Sequence, residues 1–310
     1  MPEPPNLAAS PRAALVALLR CPRCGATVRE GSEEVVCGSS EEHRFPVVGG
    51  VPVLVAESDL DDAQYAHQRD YFDAEFATYH EYRLEPWRQS YIDRLRACDA
   101  LGGPGAPLID VAVGGSGYTV IEAARGGRPG VGCDLSLPGM MVARRLAEAE
   151  GVADRTLFVC CSAEALPFAS GSFDVGLAIA IIEHVPDDAA ALSELARVLR
   201  PGARAMITVP HALKHFSPIF WLPNWLHDRR LGHLRRYSAD SLGADCRRAG
   251  LTPVTAQFTG HAIKAVQIAA TGRLPARIAG RFWWWCERRD LARIRRRRGS
   301  MQLTVLLRHP

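Results

Sequence analysis

Residues 107–127 read PLIDVAVGGSGYTVIEAARGG. An apolar run the length of one buried strand leads into a glycine-rich turn, and a helical pattern follows the turn. The free backbone N–H groups and the positive dipole at the start of such a helix favour an anionic group, and glycines let a ligand approach the backbone closely. Because glycine-rich strand-to-helix turns occur in many folds, this stretch predicts a cofactor site without identifying the cofactor.

Downstream of this stretch, strand-like apolar runs alternate with helical patterns, which is typical of a parallel sheet with crossover helices. Helices are predicted at 117–125, 138–150, 187–199 and 238–249. Strands are predicted at 108–113, 130–133, 156–160, 173–181, 203–209, 252–259 and 301–309. The sequence therefore predicts an α/β fold, a Rossmann-like seven-stranded sheet with helices on both faces.

An acidic residue ends the second predicted strand. Asp134 lies 17 residues beyond Gly117. A carboxylate at that place can accept hydrogen bonds from both hydroxyls of a ribose. The dinucleotide fingerprint, counted from Gly115-x-Gly117, requires a glycine at position 120, where this chain has Val120. A nicotinamide cofactor is therefore disfavoured.

Four further landmarks, in order and at regular spacing, resemble the class I methyltransferases, most closely their UbiE-like and small-molecule branch. The resemblance covers about residues 107–260. The landmarks are DLSLPGMMVARRLAEA from 134, CSAEALPFASGSFDVGLAIAIIEHVPD from 161, ELARVLRPGARAMITVP from 194 and HLRRYSADSLGADCRRAGL from 233. The resemblance implies that the cofactor is S-adenosylmethionine.

The resemblance also implies which residues bind this cofactor. Asp134 is expected at the ribose, with Leu135 beside the adenine. The methionine part is assigned to Asp110 and to a loop that contains Ala112, Gly114, Gly115 and Gly117. The adenine contacts are assigned to Ser162, Ala163 and Glu164, and the cofactor floor to Ala178 and Ile179. One departure stands out, because Ala112 replaces the first glycine of the family pattern and the loop is one residue longer.

The acceptor side offers four candidates for a general base. Methyl transfer from a sulfonium is an in-line displacement, so an enzyme mainly positions the acceptor and excludes water. An acceptor that must lose a proton needs a base, and histidine suits that task near neutral pH. The candidates are His184, just after the fourth strand, and His211, His233 and Tyr237, which bracket an insertion at 211–237. A structural role in the turn is the alternative for His184.

The insertion itself is rich in aromatic and apolar residues. Because this fold places substrate-covering segments after the fifth strand, we interpret the insertion as a lid over an apolar acceptor. A packing insertion is the alternative interpretation.

A metal-binding pattern precedes the main domain. Cys21-Pro-Arg-Cys24 is followed after twelve residues by Cys37 and after five more by His43. Three thiolates and an imidazole form a closed tetrahedral set of the structural zinc kind. A thioredoxin-like redox pair is the alternative, disfavoured because no strand precedes the CxxC unit and a third cysteine follows it.

The segment that ends in FPVVGGVPVLV at 45–55 resembles the Trm112-like zinc domain. A similar knuckle precedes the rRNA guanine methyltransferases of the RlmA type, and this raises RNA as an alternative acceptor. The knuckle carries little positive charge, since five glutamates oppose four arginines. RNA binding normally requires a basic surface.

The C-terminal part is basic, with eleven arginines in 273–310 against only Glu287 and Asp290. Tryptophans lie among these arginines at 281–298. Three interpretations stay open: stacking on RNA bases, peripheral contact with a membrane, and attraction of a phosphate on a lipid-like acceptor. A solvated helix face is the structural alternative.

The chain length of 310 residues and the 47% hydrophobic content allow one large core and a small accessory module. We expect a zinc module at 1–56, a helical linker or lid at 57–106, and a main domain at 107–310 with a basic segment at 273–300. Aromatic residues of the linker are expected in the core. Neither a secretory signal pattern nor an apolar run of membrane-span length is found, so a cytoplasmic protein is expected.

These features together predict an S-adenosylmethionine-dependent methyltransferase that acts on a small-molecule or lipid-like acceptor of the natural-product or isoprenoid type. An RNA base methyltransferase is the alternative among enzymes. A non-catalytic, partner-binding module of the same fold is the alternative outside them. The sequence leaves the oligomeric state open.

Overall fold

A computed structural model describes residues 10–55, 63–98, 101, 105–216, 221–263 and 276–310. The first segment begins with helix α1 (Pro11–Val16), whose N-cap Ser10 accepts a hydrogen bond from the N–H of Ala13. A four-stranded sheet follows, built in sequence order from β1 (Val28–Glu30), β2 (Glu34–Cys37), β3 (Arg44–Val48) and β4 (Val51–Pro52).

Two helices lie between this N-terminal sheet and the main domain, α2 (Ala63–Phe76) and α3 (Pro86–Ala97). A helical segment was predicted here, and the structure divides it in two. Pro86 is the first residue of α3, the position at which proline is favoured because its missing N–H is not needed there. Residues 57–62, 99, 100 and 102–104 of the predicted linker lie outside the described residues.

The main domain is built on a seven-stranded sheet, as predicted. Its strands are β5 (Leu108–Val111), β6 (Gly130–Asp134), β7 (Thr156–Cys160), β8 (Phe173–Ile179), β9 (Leu199–Pro210), β10 (Thr252–Thr259) and β11 (Gln302–Arg308). They lie in the order β10-β11-β9-β8-β5-β6-β7. The five strands from β5 to β9 are mutually parallel, and β11 runs antiparallel to both of its neighbours.

The helices of this domain are α4 (Tyr118–Arg125), α5 (Leu137–Ala149), α6 (Asp188–Val198), α7 (Trp221–Leu231), α8 (Ala239–Arg248) and α9 (Ala276–Leu291). Side-chain caps set several of their starts. Ser136 accepts from the N–H of Gly139 at 3.0 Å, and Asp187 accepts from the N–H of Ala190 at 2.9 Å. Asp187 is thus the N-cap of α6.

Alternate residues of the strands face two hydrophobic clusters on opposite sides of the sheet. Leu108 belongs to one cluster, together with residues of α3, α4 and α5. Ile109 belongs to the other, which continues through α6 and α8. This second cluster also contains Leu19, Val35 and Leu54, so the N-terminal sheet shares a core with the main domain.

The N-terminal sheet is also joined to the main sheet by backbone hydrogen bonds. Val53 forms a parallel bridge with Cys160 at the end of β7, and the N–H of Leu54 donates to the carbonyl of Cys160 at 2.8 Å. On the other side, the N–H of Arg20 donates to the carbonyl of Pro167 at 2.8 Å. The bonds of Val53 and Leu54 pair the last residue on the free edge of β7, where a backbone carbonyl would otherwise be unpaired.

No helix within the described ranges is long and apolar enough to cross a membrane.

Candidate active site

A cavity of about 960 Å³ opens at the carboxyl ends of β5, β6 and β8. Ligands of open α/β sheets bind at this edge. Helices α2, α3, α7 and α9 supply the rest of its wall. Its loop side consists of lining residues within 110–118, 133–136 and 161–163, and its histidine side of Glu183, His184 and His233.

Asp134 is the last residue of β6 and lines the loop side. Its Oδ2 accepts from the N–H of Gly114 at 3.1 Å and its Oδ1 from the N–H of Ser136 at 3.0 Å. A carboxylate has about four acceptor positions, so it retains capacity for two ribose hydroxyls. Burial raises the pKa of Asp134 to about 6, and the backbone hydrogen bonds oppose that rise. Leu135 lies beside it on the same wall.

At the cavity wall the glycine-rich loop turns with two residues in the left-handed region, and a third, Gly117 with a φ of 55°, is the N-cap of α4. Ala112 has a φ of 59° and Gly114 a φ of 67°. For alanine this conformation costs roughly 1 to 2 kcal/mol, because Cβ lies close to the following carbonyl oxygen. The loop therefore keeps its turn at position 112, where alanine replaces the glycine of the family pattern. Ala112 and Gly114 both line the cavity.

Two other glycines of the loop do not line the cavity. A Cβ at Gly115 would lie 2.7 Å from Cβ of Phe76, so this glycine lets α2 lie directly on the loop. A Cβ at Gly117 would lie 3.1 Å from Cβ of Ala143 and from Cε1 of Phe158. Gly115 and Gly117 thus permit close packing around the loop.

Asp110 lies in β5, is 2% exposed and lines the cavity. Its Oδ2 accepts from the hydroxyl of Thr119, and its Oδ1 has no partner among the described residues. Burial raises the pKa of Asp110 to about 7; the Thr119 hydrogen bond lowers it and the nearby Asp134 charge raises it. A buried oxygen without a partner is costly, so a donor group on a ligand would stabilise it.

Arg88 of α3 brings a positive charge to the same side. Its guanidinium lies over the rings of Trp87, Tyr79 and Tyr118, at 4.8, 5.3 and 5.7 Å from their centroids. Its Nε is buried with no partner among the described residues. Arg88 lines the cavity, so this N–H is available to an anionic ligand group.

The residues assigned to the adenine lie partly on the wall. Ser162 and Ala163 line the cavity, whereas Glu164 does not and instead accepts from the N–H of Asp187. At the floor, Ile179 lines the cavity, and Ala178 is buried behind it.

His184 is held by a glutamine from α2. The amide nitrogen of Gln68 lies 3.1 Å from Nδ1 of His184, 3.0 Å from its carbonyl oxygen and 3.3 Å from the carbonyl of Gly232. An amide nitrogen next to two carbonyl oxygens can only donate and shares its two hydrogens among the three acceptors, so Nδ1 of His184 presents its lone pair to Gln68. The neutral ring of His184 then carries its proton on Nε2. Burial lowers the pKa of His184 to about 3, and the neighbouring His233 adds to the shift.

His233 forms a dyad with Asp228 of α7. Its Nδ1 donates to Oδ1 of Asp228 at 2.7 Å, which leaves the lone pair of Nε2 as an acceptor. Arg236 fixes the carboxylate, because its Nε donates to Oδ2 at 2.6 Å and its Nη2 to Oδ1 at 2.7 Å. Burial raises the pKa of Asp228, but the hydrogen bonds from His233 and Arg236 outweigh it and the net pKa is lowered.

Glu183 lies beside these histidines and is 1% exposed. Neither of its carboxylate oxygens has a partner among the described residues. Burial raises its pKa to about 8, a backbone hydrogen bond and the Arg236 charge oppose the rise, and the Asp228 charge adds to it. Glu183 is therefore a protonated donor at neutral pH. The sequence did not predict that Glu183 is buried or that it lies among other ionisable groups.

The ligating atoms of Glu183, His184 and His233 lie within 4.8 Å of one another, a spacing that suits a metal ion. The position of the proton on the His184 ring favours hydrogen bonding over metal binding. Because Gln68 donates to Nδ1 of His184, the Nε2 of that ring offers a proton and not the lone pair that a metal needs. The three groups thus present two donors and one acceptor to the cavity.

The two remaining base candidates do not line the cavity. Nδ1 of His211 contacts the hydroxyl of Ser300 at 2.7 Å, and the hydroxyl of Tyr237 donates to the carboxylate of Asp188 at 2.5 Å. His211 and Tyr237 form a parallel bridge with each other, which closes the base of the insertion.

The linker aromatics, predicted as core residues, contribute largely to the cavity wall. Five of them line it, and three of these five are not buried. They are Phe72, Phe76, Tyr79, Trp87 and Tyr91. The spacing of aromatic residues in the sequence does not distinguish a helix face that packs in the core from one that lines a cavity.

The N-terminal cysteine cluster is assembled as the spacing predicts. The ligating atoms of Cys21, Cys24, Cys37 and His43 lie within 4.8 Å of one another. The Sγ atoms of Cys24 and Cys37 are 3.4 Å apart, and Sγ of Cys21 lies 3.5 Å from Nδ1 of His43. Tetrahedral zinc with bonds of about 2.3 Å separates its ligand atoms by roughly 3.7 Å, so this set fits the ion.

Sequence comparison identifies a methyltransferase domain. Residues 109–207 match the family described as Methyltransferase domain. The ubiquinone/menaquinone biosynthesis C-methyltransferase UbiE of Paracoccus denitrificans is 38% identical over 151 residues, 46% of this chain and 54% of that protein. The demethylmenaquinone methyltransferase of Mycobacterium sp. strain JLS is 37% identical over 115 residues, 37% of this chain and 46% of that protein. The chain spans about half the length of these curated relatives.

Solved structures share the fold. A geranyl diphosphate C-methyltransferase from Streptomyces coelicolor, in complex with Mg²⁺, geranyl diphosphate and S-adenosyl-L-homocysteine, superposes with a TM-score of 0.57 at 17% identity and covers 81% of this chain and 99% of its own. The [4+2]-cyclase SpnF gives 0.54 at 20% identity, covering 80% and 96%. The chain thus has the class I methyltransferase fold, as predicted, and the cyclase is a reminder that one fold carries several reactions.

Proposed function

We propose that this protein is an S-adenosylmethionine-dependent methyltransferase that acts on a small, lipid-like acceptor with an ionisable hydroxyl group. One observation carries the proposal. A single cavity joins the Asp134 and Asp110 carboxylates of the loop side to the base-like His233–Asp228 dyad of the histidine side.

The loop side fits the proposed cofactor in charge and hydrogen bonding. Asp134 retains acceptor capacity for the ribose, and the unpartnered Oδ1 of Asp110 suits the ammonium group of the methionine part. Arg88 would bind the methionine carboxylate through its free Nε. When bound, S-adenosylmethionine supplies an electrophilic methyl group on a sulfonium.

The histidine side would manage the acceptor's proton. Nε2 of His233 accepts the proton of the acceptor hydroxyl, while Asp228 stabilises the charge that develops on the ring. The Nε2–H of His184 and the protonated carboxyl of Glu183 donate to the acceptor's oxygens and orient it. The resulting anion would attack the methyl carbon through its oxygen or a ring carbon while the methyl–sulfur bond breaks, and attack through carbon would be followed by loss of the ring proton, which restores the aromatic ring.

This pattern favours quinol-like acceptors over prenyl diphosphates. A diphosphate on the histidine side needs free cations there, but Arg236 is already held by two hydrogen bonds to Asp228, and the other lining arginines, Arg69, Arg88 and Arg94, lie on α2 and α3. A reduced quinone offers an acidic hydroxyl to His233 and a second oxygen to the two donors. The names of the relatives, a quinone C-methyltransferase and a demethylmenaquinone methyltransferase, agree with this class.

We further propose that Cys21, Cys24, Cys37 and His43 hold a structural zinc ion. The set is closed, with four protein ligands and no place for a substrate. Ser39 contacts Sγ of both Cys24 and Cys37, at 3.3 and 3.2 Å. Such a contact orients the ligands from outside the metal shell.

Binding calorimetry tests the cofactor assignment. The wild-type protein is expected to bind S-adenosylmethionine, and Asp134→Ala to bind it at least about 100-fold more weakly, since two charge-assisted hydrogen bonds are lost. Asp154→Ala, which removes an exposed carboxylate outside the cavity lining, is the matched control. Absence of binding by the wild type would support the non-catalytic module.

Transfer of a labelled methyl group identifies the acceptor. A short-chain demethylmenaquinol is expected to be labelled, geranyl diphosphate and unmodified rRNA are not. Labelling of rRNA with no labelling of the quinol would replace the proposal by the RNA alternative. Labelling of geranyl diphosphate alone would contradict the assignment of His233 as the acceptor's base.

A further inference from the structure

We infer that α7 and α9 form a docking surface for an anionic membrane at the mouth of the cavity. We call it the Trp–Arg surface; it consists of the outward residues of the two helices, Trp221, Leu222, Trp225, Leu226, Arg229, Arg230, Ile278, Arg281, Trp284, Trp285, Arg288 and Arg289.

Both helices turn polar residues towards the cavity and expose large apolar residues beside their arginines, which reverses the usual placement of those residues. On α9, Glu287 and Asp290 are 3% and 1% exposed and line the cavity, whereas Trp284 and Trp285 are 41% and 46% exposed. Asp290 is fixed inward by the N–H groups of Gly260 and His261, at 2.7 and 2.8 Å. A helix on a water-soluble surface normally buries its apolar side and exposes its polar one.

The same reversal occurs on α7. Asn224 and His227 line the cavity, while Leu222 and Leu226 on the other side are 64% and 54% exposed. Among the described residues twelve large hydrophobic side chains are exposed, and seven of them lie on these two helices. Such a concentration marks an interaction site and not scattered surface residues.

The charge of this surface selects the partner. The guanidinium of Arg229 lies 4.9 Å from the ring centroid of Trp225, and that of Arg289 lies 5.1 Å from the ring centroid of Trp285. Within the described parts of the chain, no carboxylate forms an ion pair with the five outward arginines. Tryptophan at the level of the headgroups and arginine beside lipid phosphates is the composition of a helix that lies on an anionic bilayer.

Two other occupants fit less well. A second copy of this chain would bring five arginines against five more across a two-fold axis, which is repulsive. RNA would stack on the tryptophans, but Leu222, Leu226 and Ile278 have no flat face to offer a base. Insertion of both helices into the headgroup region accounts for the tryptophans, the arginines and the aliphatic residues together.

The consequence for the site is direct, and this part rests on the proposed function. The two helices line the cavity with their inner sides, so a protein docked by their outer sides holds the cavity mouth against the lipid. A lipid-like acceptor then reaches His233 without crossing water. Membrane contact of the tail at 281–298 was one of three interpretations that the sequence left open; the structure adds α7 and limits the helical part to residues up to Leu291.

Vesicle co-sedimentation of the full chain, without S-adenosylmethionine, tests the surface independently of methyl transfer. Vesicles with about 30% phosphatidylglycerol are expected to bind the protein at least about tenfold more tightly than pure phosphatidylcholine. Arg288→Glu with Arg289→Glu should remove that preference. Trp225→Ser with Trp285→Ser should weaken binding to both vesicle types by about tenfold. Val254→Ser, which changes an even more exposed apolar residue on β10, should leave binding unchanged.

Tryptophan fluorescence gives a second readout, since five of the six tryptophans lie in 221–225 and 283–285. A blue shift on adding anionic vesicles is expected, together with unchanged thermal unfolding of both variants. Absence of vesicle binding overturns the inference, as does equal loss of binding in Val254→Ser. A dimer that dissociates in the tryptophan variant assigns the surface to a second copy, and tighter binding to single-stranded RNA than to vesicles assigns it to RNA; both overturn it.

Discussion

The loop side and the histidine side line the same cavity but are formed in different ways. The loop side comes from consecutive strand ends within 110–163, so its residues are close in sequence and held by the sheet. The histidine side is assembled from Glu183, His184 and His233 with Gln68 behind them. A motif can therefore specify the first side, whereas only tertiary packing produces the second.

The largest expected effect separates the two sides by function. His233→Ala should lower kcat by roughly 100- to 10,000-fold, the range for loss of a general base. Binding of S-adenosylmethionine should stay within about twofold, because His233 lies on the other side. Steady-state kinetics and calorimetry measure the two quantities.

His80→Ala is the control for that experiment, since His80 is exposed and outside the cavity lining. A comparable loss of cofactor affinity in His233→Ala would mean that the two sides are not independent. An unchanged kcat would remove His233 from the proton path.

Loss of a proposed zinc ligand is expected to affect the loop side first. Val53 and Leu54 bond to Cys160, two residues before Ser162, so the N-terminal sheet supports the adenine end of that side. Cys24→Ser is expected to reduce zinc from about one ion per chain, to lower the unfolding free energy by several kcal/mol and to weaken cofactor binding. Metal analysis, denaturation and calorimetry report these changes.

The matched variant is Cys98→Ser, a cysteine outside the cluster. Full zinc content in Cys24→Ser would contradict the proposed metal site. Reduced zinc with normal cofactor affinity would show that the loop side does not depend on the N-terminal sheet.

A smaller effect concerns Glu183 and the pH dependence of stability. Its folded pKa is raised to about 8 by burial, whereas an unfolded glutamate titrates at about 4.5. The folded protein therefore binds one proton more between these values, and stability from this group is lost as pH rises from about 4.5 to 8. Glu183→Gln cannot ionise and should gain about 1.4 kcal/mol relative to the wild type for each pH unit within this range.

Chemical denaturation at pH 5.5, 7 and 8.5 measures that difference. Asp110 and Asp134 also have raised pKa values, but they are common to both proteins and cancel in the comparison. A stability difference that does not change with pH would mean that Glu183 is already ionised at pH 5.5, and the histidine side would then lack one of its donors.

The smallest effect lies at Ala112. Glycine adopts its positive φ without strain but loses more chain entropy on folding, so Ala112→Gly should change the unfolding free energy by less than about 1 kcal/mol. Ala189→Gly in the first turn of α6 should instead cost about 1 kcal/mol, because alanine is favoured there. A large loss in Ala112→Gly, measured by denaturation, would mean that the loop depends on the Ala112 side chain.

Strand and helix positions were predictable because local patterns determine them. The predicted strands 156–160 and 252–259 coincide with β7 and β10, and the caps and stops of the helices lie within one residue of those expected. The largest difference is at β9, which begins at Leu199 and not at 203, because Arg200–Ala203 continue the strand beyond the apolar run.

Contacts between distant segments were not predictable from such patterns. Gln68 reaches His184 over 116 positions, and nothing in the sequence near either residue indicates the partner. His211 and Tyr237, predicted as the ends of the insertion, form a bridge with each other, yet their side chains lie outside the cavity lining. Position along the chain located them, but side-chain direction depends on the surrounding fold.

The bridge between His211 and Tyr237 bears on how such a protein changes its acceptor. The insertion enters and leaves the fold at one point, and His233, Asp228 and Arg236 all lie inside it. The proposed general base His233, the two residues that support it and one wall of the cavity are therefore contained in one segment of the chain, which could be exchanged as a unit. Transplanting residues 211–237 between relatives would exchange acceptor chemistry while the sheet and the cofactor loop remain as they are.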